Sequence, residues 1–342
     1  MRYPEFLKEK GRIGYIAPSF GCSDEYYRAA FDAALERFRE MGYENVPGPN
    51  CYENSGTGKS NTPEKCAEEI NDFFLNDRSD VIISCGGGET MCEDLEFVDF
   101  AGIAASEPKW FMGYSDNTNL TYTLPVLCDT AAIYGPCAGK FGMRRWHDAI
   151  NDAWELLNGR KLSMKSYPTW ERYETECPEG EEDPLGGYND TEPSCMKLFG
   201  GSGTFSGRLI GGCLDCLVTL CGTRFDGSRA FSRKYKDDGI IWFIESCDLN
   251  PMGIRRALWQ LDQAGWFDHV SGFLIGRALH FDDEMMGMDR INAVTGVLGR
   301  YDVPIIMDVD LGHLPPMMPL ISGAMADIDF ADGKLSVNMR LE

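Results

Sequence analysis

The chain has 342 residues, 43% hydrophobic and 25% charged, enough for about two domains of ordinary size in a globular protein. Its 32 basic residues against 54 acidic ones give a formal net charge of −22, which repels nucleic-acid backbones and anionic membrane surfaces. No apolar run approaches the roughly 20 residues of a membrane span, and charges interrupt the N-terminal MRYPEFLKEKGRIGYIAPSF, so a cytoplasmic protein without a signal peptide is expected.

In chain order, RIGYIAP (12–18) is a short apolar run closed by proline. SDEYYRAAFDAALERFREMG (23–42) has apolar residues at helical spacing, a Ser-Asp start and a glycine stop. ENSGTGKS (53–60) ends like a phosphate-binding loop. However, Glu53 stands where that motif needs its first glycine, and no strand leads into it, so a nucleotide-triphosphate site is set aside. DVIISCGGG (80–88) is a buried-strand candidate ending in glycines. KWFMGYS (109–115) is another, with a helix expected from about Asp116, and AAIYGP (131–136) is a third. Strands alternating with helices imply a mostly parallel sheet covered on both faces, with ligands at the carboxyl ends of the strands.

From 161 to 203 this pattern breaks down. SYPTWERYETECPEGEEDPLGGYNDTEPSC (166–195) is rich in proline, glycine and acid, and is too long for an ordinary connection. The expected division is an N-terminal domain over 1–160, an inserted linker or loop over 161–203 and a C-terminal domain over 204–342.

The second half follows a different plan. GRLIGGCLDCLVTLCGT (207–223) reads as a strand, a tight glycine turn and a helix. DGIIWFIESCD (238–248) is a buried strand ending at Glu245. NPMGIRRALWQLDQAGWF (250–267) is a helix with Asn250 as cap, Pro251 in the first turn and Gly265 as stop. VSGFLIGRA (270–278) and VPIIMDVDLGH (303–313) are further strands, and ADIDFADGKLSVNM (326–339) reads as an antiparallel hairpin. The 13 cysteines form no repeating framework and are read as reduced thiols. Cys213, Cys216 and Cys221 sit in apolar sequence with no histidine nearby. That favours buried free thiols over zinc, and no metal or cofactor is expected.

Ser115 follows a strand, precedes a helix, and has Gly113 two residues before it, a layout that suits a nucleophile on a sharp turn. The pattern stops short of G-x-S-x-G because Asn117 holds the fifth place, so a simple helix cap at Ser115 or Asp116 is the competing reading. The Asp116 amide would lie at a helix start, and the loop CGGGET (85–90) could bring a second N–H to an oxyanion; a plain turn would look the same. A serine nucleophile needs a base, and the chain has four histidines: His147, His269, His280 and His313. Position favours His313, in a proline-rich loop beyond a buried strand. Glu245 ends the apolar run IIWFIE, where a charge is costly unless paired.

The ordered set FMGYSDNTNL, GGCLDCLVTLCGT, IIWFIESCD, GIRRALWQLDQAGWF, GFLIGRA and VPIIMDVDLGHLPPMMPLISGA resembles the LD-carboxypeptidase family of serine peptidases, which includes the microcin-immunity-type hydrolases. The resemblance spans nearly the whole chain. It implies a Rossmann-like N-terminal domain with a mostly parallel sheet, a β-rich C-terminal α/β domain and a homodimer. It also implies Ser115 as nucleophile, His313 as base, Glu245 as its partner, and oxyanion amides at Gly87 and Asp116. Gly88 and Trp170 become candidate substrate contacts. Trp170 would match a tryptophan that immunity-type members place against a nucleobase, unless it only covers a small core within its loop. Relatives often follow two glycines with an aromatic residue, whereas this loop reads Gly-Gly-Gly-Glu, which leaves the second oxyanion donor open. The implied substrate is a murein tetrapeptide; the alternatives are a peptidyl or aminoacyl nucleotide, or a ligand held without catalysis.

Overall fold

A computed structural model describes residues 1–172 and 183–342. The first sheet takes its parallel strands from Arg12–Ile16, Glu44–Pro47, Val81–Ser84, Trp110–Gly113 and Ala132–Tyr134. Across the sheet they run Glu44–Pro47, Arg12–Ile16, Val81–Ser84, Trp110–Gly113, Ala132–Tyr134. The order reverses between the strands Arg12–Ile16 and Val81–Ser84, the switch point of a doubly wound sheet, where loops diverge and leave a crevice. Helices such as Glu25–Glu40 and Pro63–Leu75 cover the faces. The first is capped as its sequence suggests: the Asp24 side chain accepts from the Tyr27 N–H at 3.0 Å.

The second sheet has a parallel centre of Thr204–Cys213, Ile240–Glu245, Val270–Gly276 and Ile305–Val309. Antiparallel strands flank it, including the hairpin Met325–Ala331 and Lys334–Arg340, whose register closes at Ala331↔Lys334 across Asp332 and Gly333. Both turn residues have positive φ, 51° and 72°, the backbone of a type I′ hairpin.

Three expectations change. First, the ends of the 161–203 segment are not linker. Ser163–Lys165 and Lys197–Phe199 form the two opposite edges of the second sheet. Such three-residue strands with charged ends carry no readable alternation in sequence. Part of that segment, 173–182, lies outside the described residues. Second, the glycines of GRLIGGC do not make a tight turn; the strand runs through them to Cys213, and the helix Leu214–Leu220 follows directly. Third, the halves interlock. Leu320–Ser322, from the C-terminal half, pairs antiparallel with Ala132–Tyr134 at the edge of the first sheet. One apolar core accordingly joins Tyr134 and Ile133 to Phe243 and Leu311.

Among the described residues, no helix is long and apolar enough to cross a membrane.

Candidate active site

Ser115 lies just past the carboxyl end of Trp110–Gly113 and opens the short helical turn Ser115–Asn117. Its φ is +62°, a left-handed backbone unusual outside glycine and of the kind that clusters at functional sites. Asn117, which spoils the sequence motif, has a job in that turn. Its buried amide donates to Gly86 O at 2.8 Å and to Tyr114 O at 3.0 Å, tying the serine turn to the glycine loop. Asp116 binds the loops from the other side: its Oδ2 accepts from Ser19 Oγ at 2.6 Å and from the Met91 N–H at 2.9 Å. Three loops at neighbouring strand ends are thereby fixed around one hydroxyl.

That hydroxyl meets the second sheet. Ser115 Oγ lies 2.9 Å from His313 Nε2, and His313 Nδ1 lies 2.9 Å from Glu245 Oε2. Glu245 is 2% exposed at the end of Ile240–Glu245, and Gly312 makes room for it. A Cβ on Gly312 would fall 2.7 Å from Glu245 Oε2, and its φ of +99° suits glycine alone. The other Glu245 oxygen accepts from Tyr134 Oη at 2.6 Å, and Tyr134 Oη in turn accepts from the Ser115 N–H at 3.2 Å. Tyr134 therefore bridges both ends of the constellation. Its place at the end of the strand beside Trp110–Gly113 was the only sequence signal for it.

The charges reinforce one another. Burial disfavours charge on His313, but Glu245, with help from Cys247, outweighs it and raises the imidazole above its ordinary 6.5. Burial likewise pushes Glu245 up, and His313, Tyr134 and Cys213 more than offset it, holding the carboxyl below 4.5. Both shifts favour an imidazolium–carboxylate pair.

The loop carrying His313 is set from below by Arg277, which is fully buried. Its guanidinium bonds Asp310 Oδ1 at 2.6 Å and donates to the carbonyls of Leu314 and Pro316 at 3.3 and 3.2 Å. The sequence reading gave Arg277 no role.

The glycine loop stands opposite. A Cβ at Gly87 would lie only 3.3 Å from Ser115 Oγ, so glycine permits the close approach. The Gly86 carbonyl is taken by Asn117, and across that trans peptide the Gly87 N–H faces the other way. Asp116 lies in the first turn of the helical segment Ser115–Asn117, whose first N–H groups have no partner inside it. Gly88 and Ser115 both line a cleft of about 200 Å³ beside the loop.

Trp170 is not brought to this cleft. It is 2% exposed, and its ring packs 4.8 Å from Phe281 with Leu314 in the same cluster. Arg277 lies 5.0 Å over the ring, and Nε1 donates to Pro193 O at 3.0 Å. The tryptophan is buried because its strand, Thr169–Trp170, pairs with Glu192–Pro193 beneath the His313 loop, so it props that loop instead of facing the cleft. His147, His269 and His280 also lie elsewhere: His147 caps the helix Asp148–Leu157, and His280 sits 3.5 Å from Asp283. Cys213, Cys216 and Cys221 are free thiols; Cys213 is buried as expected, Cys216 and Cys221 are half-buried, and the first two border the cleft.

Residues 13–135 match the family model described as the LD-carboxypeptidase N-terminal domain, and residues 206–328 match the LD-carboxypeptidase C-terminal domain. The microcin C7 self-immunity protein MccF of Escherichia coli is 27% identical over 322 residues, 90% of this chain and 87% of that protein. A Vibrio cholerae protein named as a candidate carboxypeptidase is 25% identical over 342 residues, 96% of each chain. The solved structure of an MccF-like protein from Bacillus anthracis has a TM-score of 0.83 at 20% identity, covering 99% of this chain and 100% of that one. MccF in complex with glutamyl sulfamoyl guanosine has a TM-score of 0.80 at 24% identity, covering 98% of each chain. These structures share the fold of this chain, a parallel sheet in the N-terminal region with a β-rich C-terminal domain. With the family models matched in both halves, this chain belongs to the LD-carboxypeptidase family of serine peptidases.

Proposed function

We propose that this protein hydrolyses an amide bond with Ser115 as nucleophile, His313 as base and Glu245 as the group that orients His313. One observation carries the reading: the unbroken pair of 2.9 Å hydrogen bonds that joins residues from three segments far apart in sequence. Neutral His313 takes the Ser115 proton at Nε2 while its Nδ1–H stays donated to Glu245. Oγ bonds to the carbonyl carbon, and the resulting oxyanion is received by the N–H groups of Asp116 and Gly87. When the C–N bond breaks, His313 returns its proton to the leaving amine. A water molecule activated the same way then releases the acid and restores the serine.

The favoured substrate is a murein tetrapeptide, cut before its terminal D-alanine, in a cytoplasmic homodimer engaged in peptidoglycan recycling. Gly88, on the cleft wall, is the substrate contact we retain. A second reading, hydrolysis of a peptidyl or aminoacyl nucleotide, is favoured by the relatedness to MccF, a protein with structures bound to glutamyl sulfamoyl guanosine and aspartyl sulfamoyl adenosine. Against it stands the burial of Trp170, which removes the residue offered for stacking a nucleobase.

Incubating the protein with a murein tetrapeptide and an aminoacyl-sulfamoyl adenosine should give the higher kcat/KM on the first. Faster cleavage of the second would reverse the substrate assignment. Turnover of neither, with no labelling of Ser115 by a fluorophosphonate, would point instead to a protein that only binds its ligand. Tyr134→Phe removes one hydrogen bond to a charged carboxylate and one acceptor for the serine amide. We expect kcat to fall roughly ten- to a hundredfold with KM little changed. An unchanged kcat would mean that Tyr134 is only packing.

A further inference from the structure

The segment ENSGTGKS (53–60) ends like a phosphate-binding loop, but its lysine is spent inside the protein. Lys59 is 4% exposed, just ahead of the helix Pro63–Leu75. Its Nζ pairs with Asp94 Oδ1, donates to the Thr90 carbonyl at 3.1 Å and lies 3.8 Å from Glu93 Oε2. A phosphate would have to displace these oxygens, two of them on carboxylates. Thr90 is the last residue of the glycine loop CGGGET (85–90), and Asp94 lies in the helical turn Met91–Glu96 that follows. Lys59 thus reaches from a separate segment to the far end of the loop that faces Ser115.

That loop needs anchors. Three consecutive glycines leave its backbone free to adopt many conformations, and an oxyanion donor helps only when it is held in place before the reaction. The near end of the loop is fixed by neutral contacts: the Asn117 amide on the Gly86 carbonyl at 2.8 Å and the Phe20 N–H on the Gly87 carbonyl at 2.9 Å. The far end is fixed by charged groups. Lys59 holds the Thr90 carbonyl, and Asp116 Oδ2 accepts from the next N–H, that of Met91, at 2.9 Å. The segment bearing Lys59 is tied to the same carboxylate: the Ser60 N–H donates to the Ser19 carbonyl at 2.7 Å, and Ser19 Oγ donates to Asp116 at 2.6 Å. Burial pushes the Asp116 carboxyl above its ordinary range, while the Ser19 and Met91 hydrogen bonds and then Lys59 work against that, so the cation also helps to keep this acceptor ionised. A buried ion pair seldom adds net stability over apolar groups of the same volume, so stability alone gives no reason for Lys59 and Asp94.

We infer, resting on the hydrolase reading above, that Lys59 is a positioning residue for the reaction: its ammonium pins the far end of the glycine loop, so that the loop's N–H groups stay aimed at the Ser115 hydroxyl. It touches neither substrate nor triad and acts through the loop.

The test replaces the pair together, as Lys59→Met with Asp94→Leu, because Lys59→Met alone would leave a buried charge unpaired and endanger the fold. The second change removes nothing else: Asp94 Oδ1 bonds Lys59, and Oδ2 has no partner among the described residues. Two readouts are taken. Hydrogen exchange of the amides of residues 86–91 should become at least about tenfold faster, with those of Val81–Ser84 unchanged. On a murein tetrapeptide, kcat per folded molecule should fall about ten- to a hundredfold with KM within about twofold, somewhat less than the loss of a whole oxyanion donor. A purely structural role would instead lower the unfolding temperature and leave kcat per folded molecule at the parent value, and that result overturns the inference. So does a folded double variant whose loop amides exchange at the parent rate. A parent protein that turns over no substrate would refute the hydrolase reading, and the exchange rates, which need no turnover, still decide whether Lys59 holds the loop.

Discussion

Ser115→Ala should lower kcat on the cleaved substrate by about four to six orders of magnitude, the range seen when a triad nucleophile or its base is removed from a serine hydrolase. The structure argues that this loss will be chemical and not structural. Serine and alanine both carry a Cβ, so the positive φ at this position costs the variant no more than the parent. The groups that shape the turn are the side chains of Asn117 and Asp116, which the substitution leaves untouched. The Tyr134 contact uses the Ser115 backbone N–H, which alanine keeps. Thermal unfolding should therefore stay close to that of the parent protein. His313→Ala should cost a similar factor, and the double variant little more than either single one, because the two groups act as a unit. Near-normal turnover by a folded Ser115→Ala protein would refute the proposed nucleophile.

Glu245→Gln should reduce kcat/KM by roughly 10⁴ and also change the pH profile, as expected where a triad carboxylate sets the tautomer and charge of its histidine. The direction follows from the charges. His313 must be neutral to take the serine proton, yet Glu245 favours its protonated form, so its pKa lies above 6.5. The acid limb of kcat/KM for the parent should accordingly lie on the alkaline side of 6.5, with the rate rising as His313 loses its proton. Glutamine removes the negative charge, and burial, which lowers the imidazole pKa, is then left less opposed. The remaining activity of the variant should therefore show its acid limb at lower pH. A limb that stays in place would mean that another group controls it.

The same shifts enter stability. A histidine with a raised native pKa contributes stability that is fully present below its unfolded pKa and is lost as pH rises through the native value. Glu245, lowered in the native state, contributes above its unfolded pKa near 4.5, and that contribution is lost as pH falls through the lowered value. The pair stabilises the fold across the window between, and the variant should lose that advantage there.

Much of this molecule is set by short-range chemistry that a sequence displays. The helix Pro251–Gln263 begins where Asn250 can cap it, and the Asn250 side chain does accept from the Gly253 N–H at 2.9 Å. The hairpin turns at Asp332 and Gly333 because those residues tolerate a left-handed backbone. The buried strands Val81–Ser84 and Ile240–Glu245 declare themselves by unbroken apolar runs; Glu245 ends one of them, and Ser115 and His313 follow shortly after the strands Trp110–Gly113 and Ile305–Val309. Strands put their chemistry at their carboxyl ends, so the three could be singled out without coordinates.

What sequence could not decide is which groups meet. Tyr134 reads only as an apolar strand residue, and Asn117 reads as a fault in a motif; their roles exist only because separate strand ends converge. Trp170 shows the converse: the family resemblance offers it as a ligand platform, but it lies in the interior, where its two-residue strand is paired and Arg277 stacks on its ring. The two edge strands at 163–165 and 197–199 are likewise too short to announce themselves and form only because a larger sheet offers them unpaired backbone. Local pattern follows from each residue and its near neighbours along the chain. Convergence depends on loop closure and on a core shared between the two halves, and these are properties of the whole packed molecule.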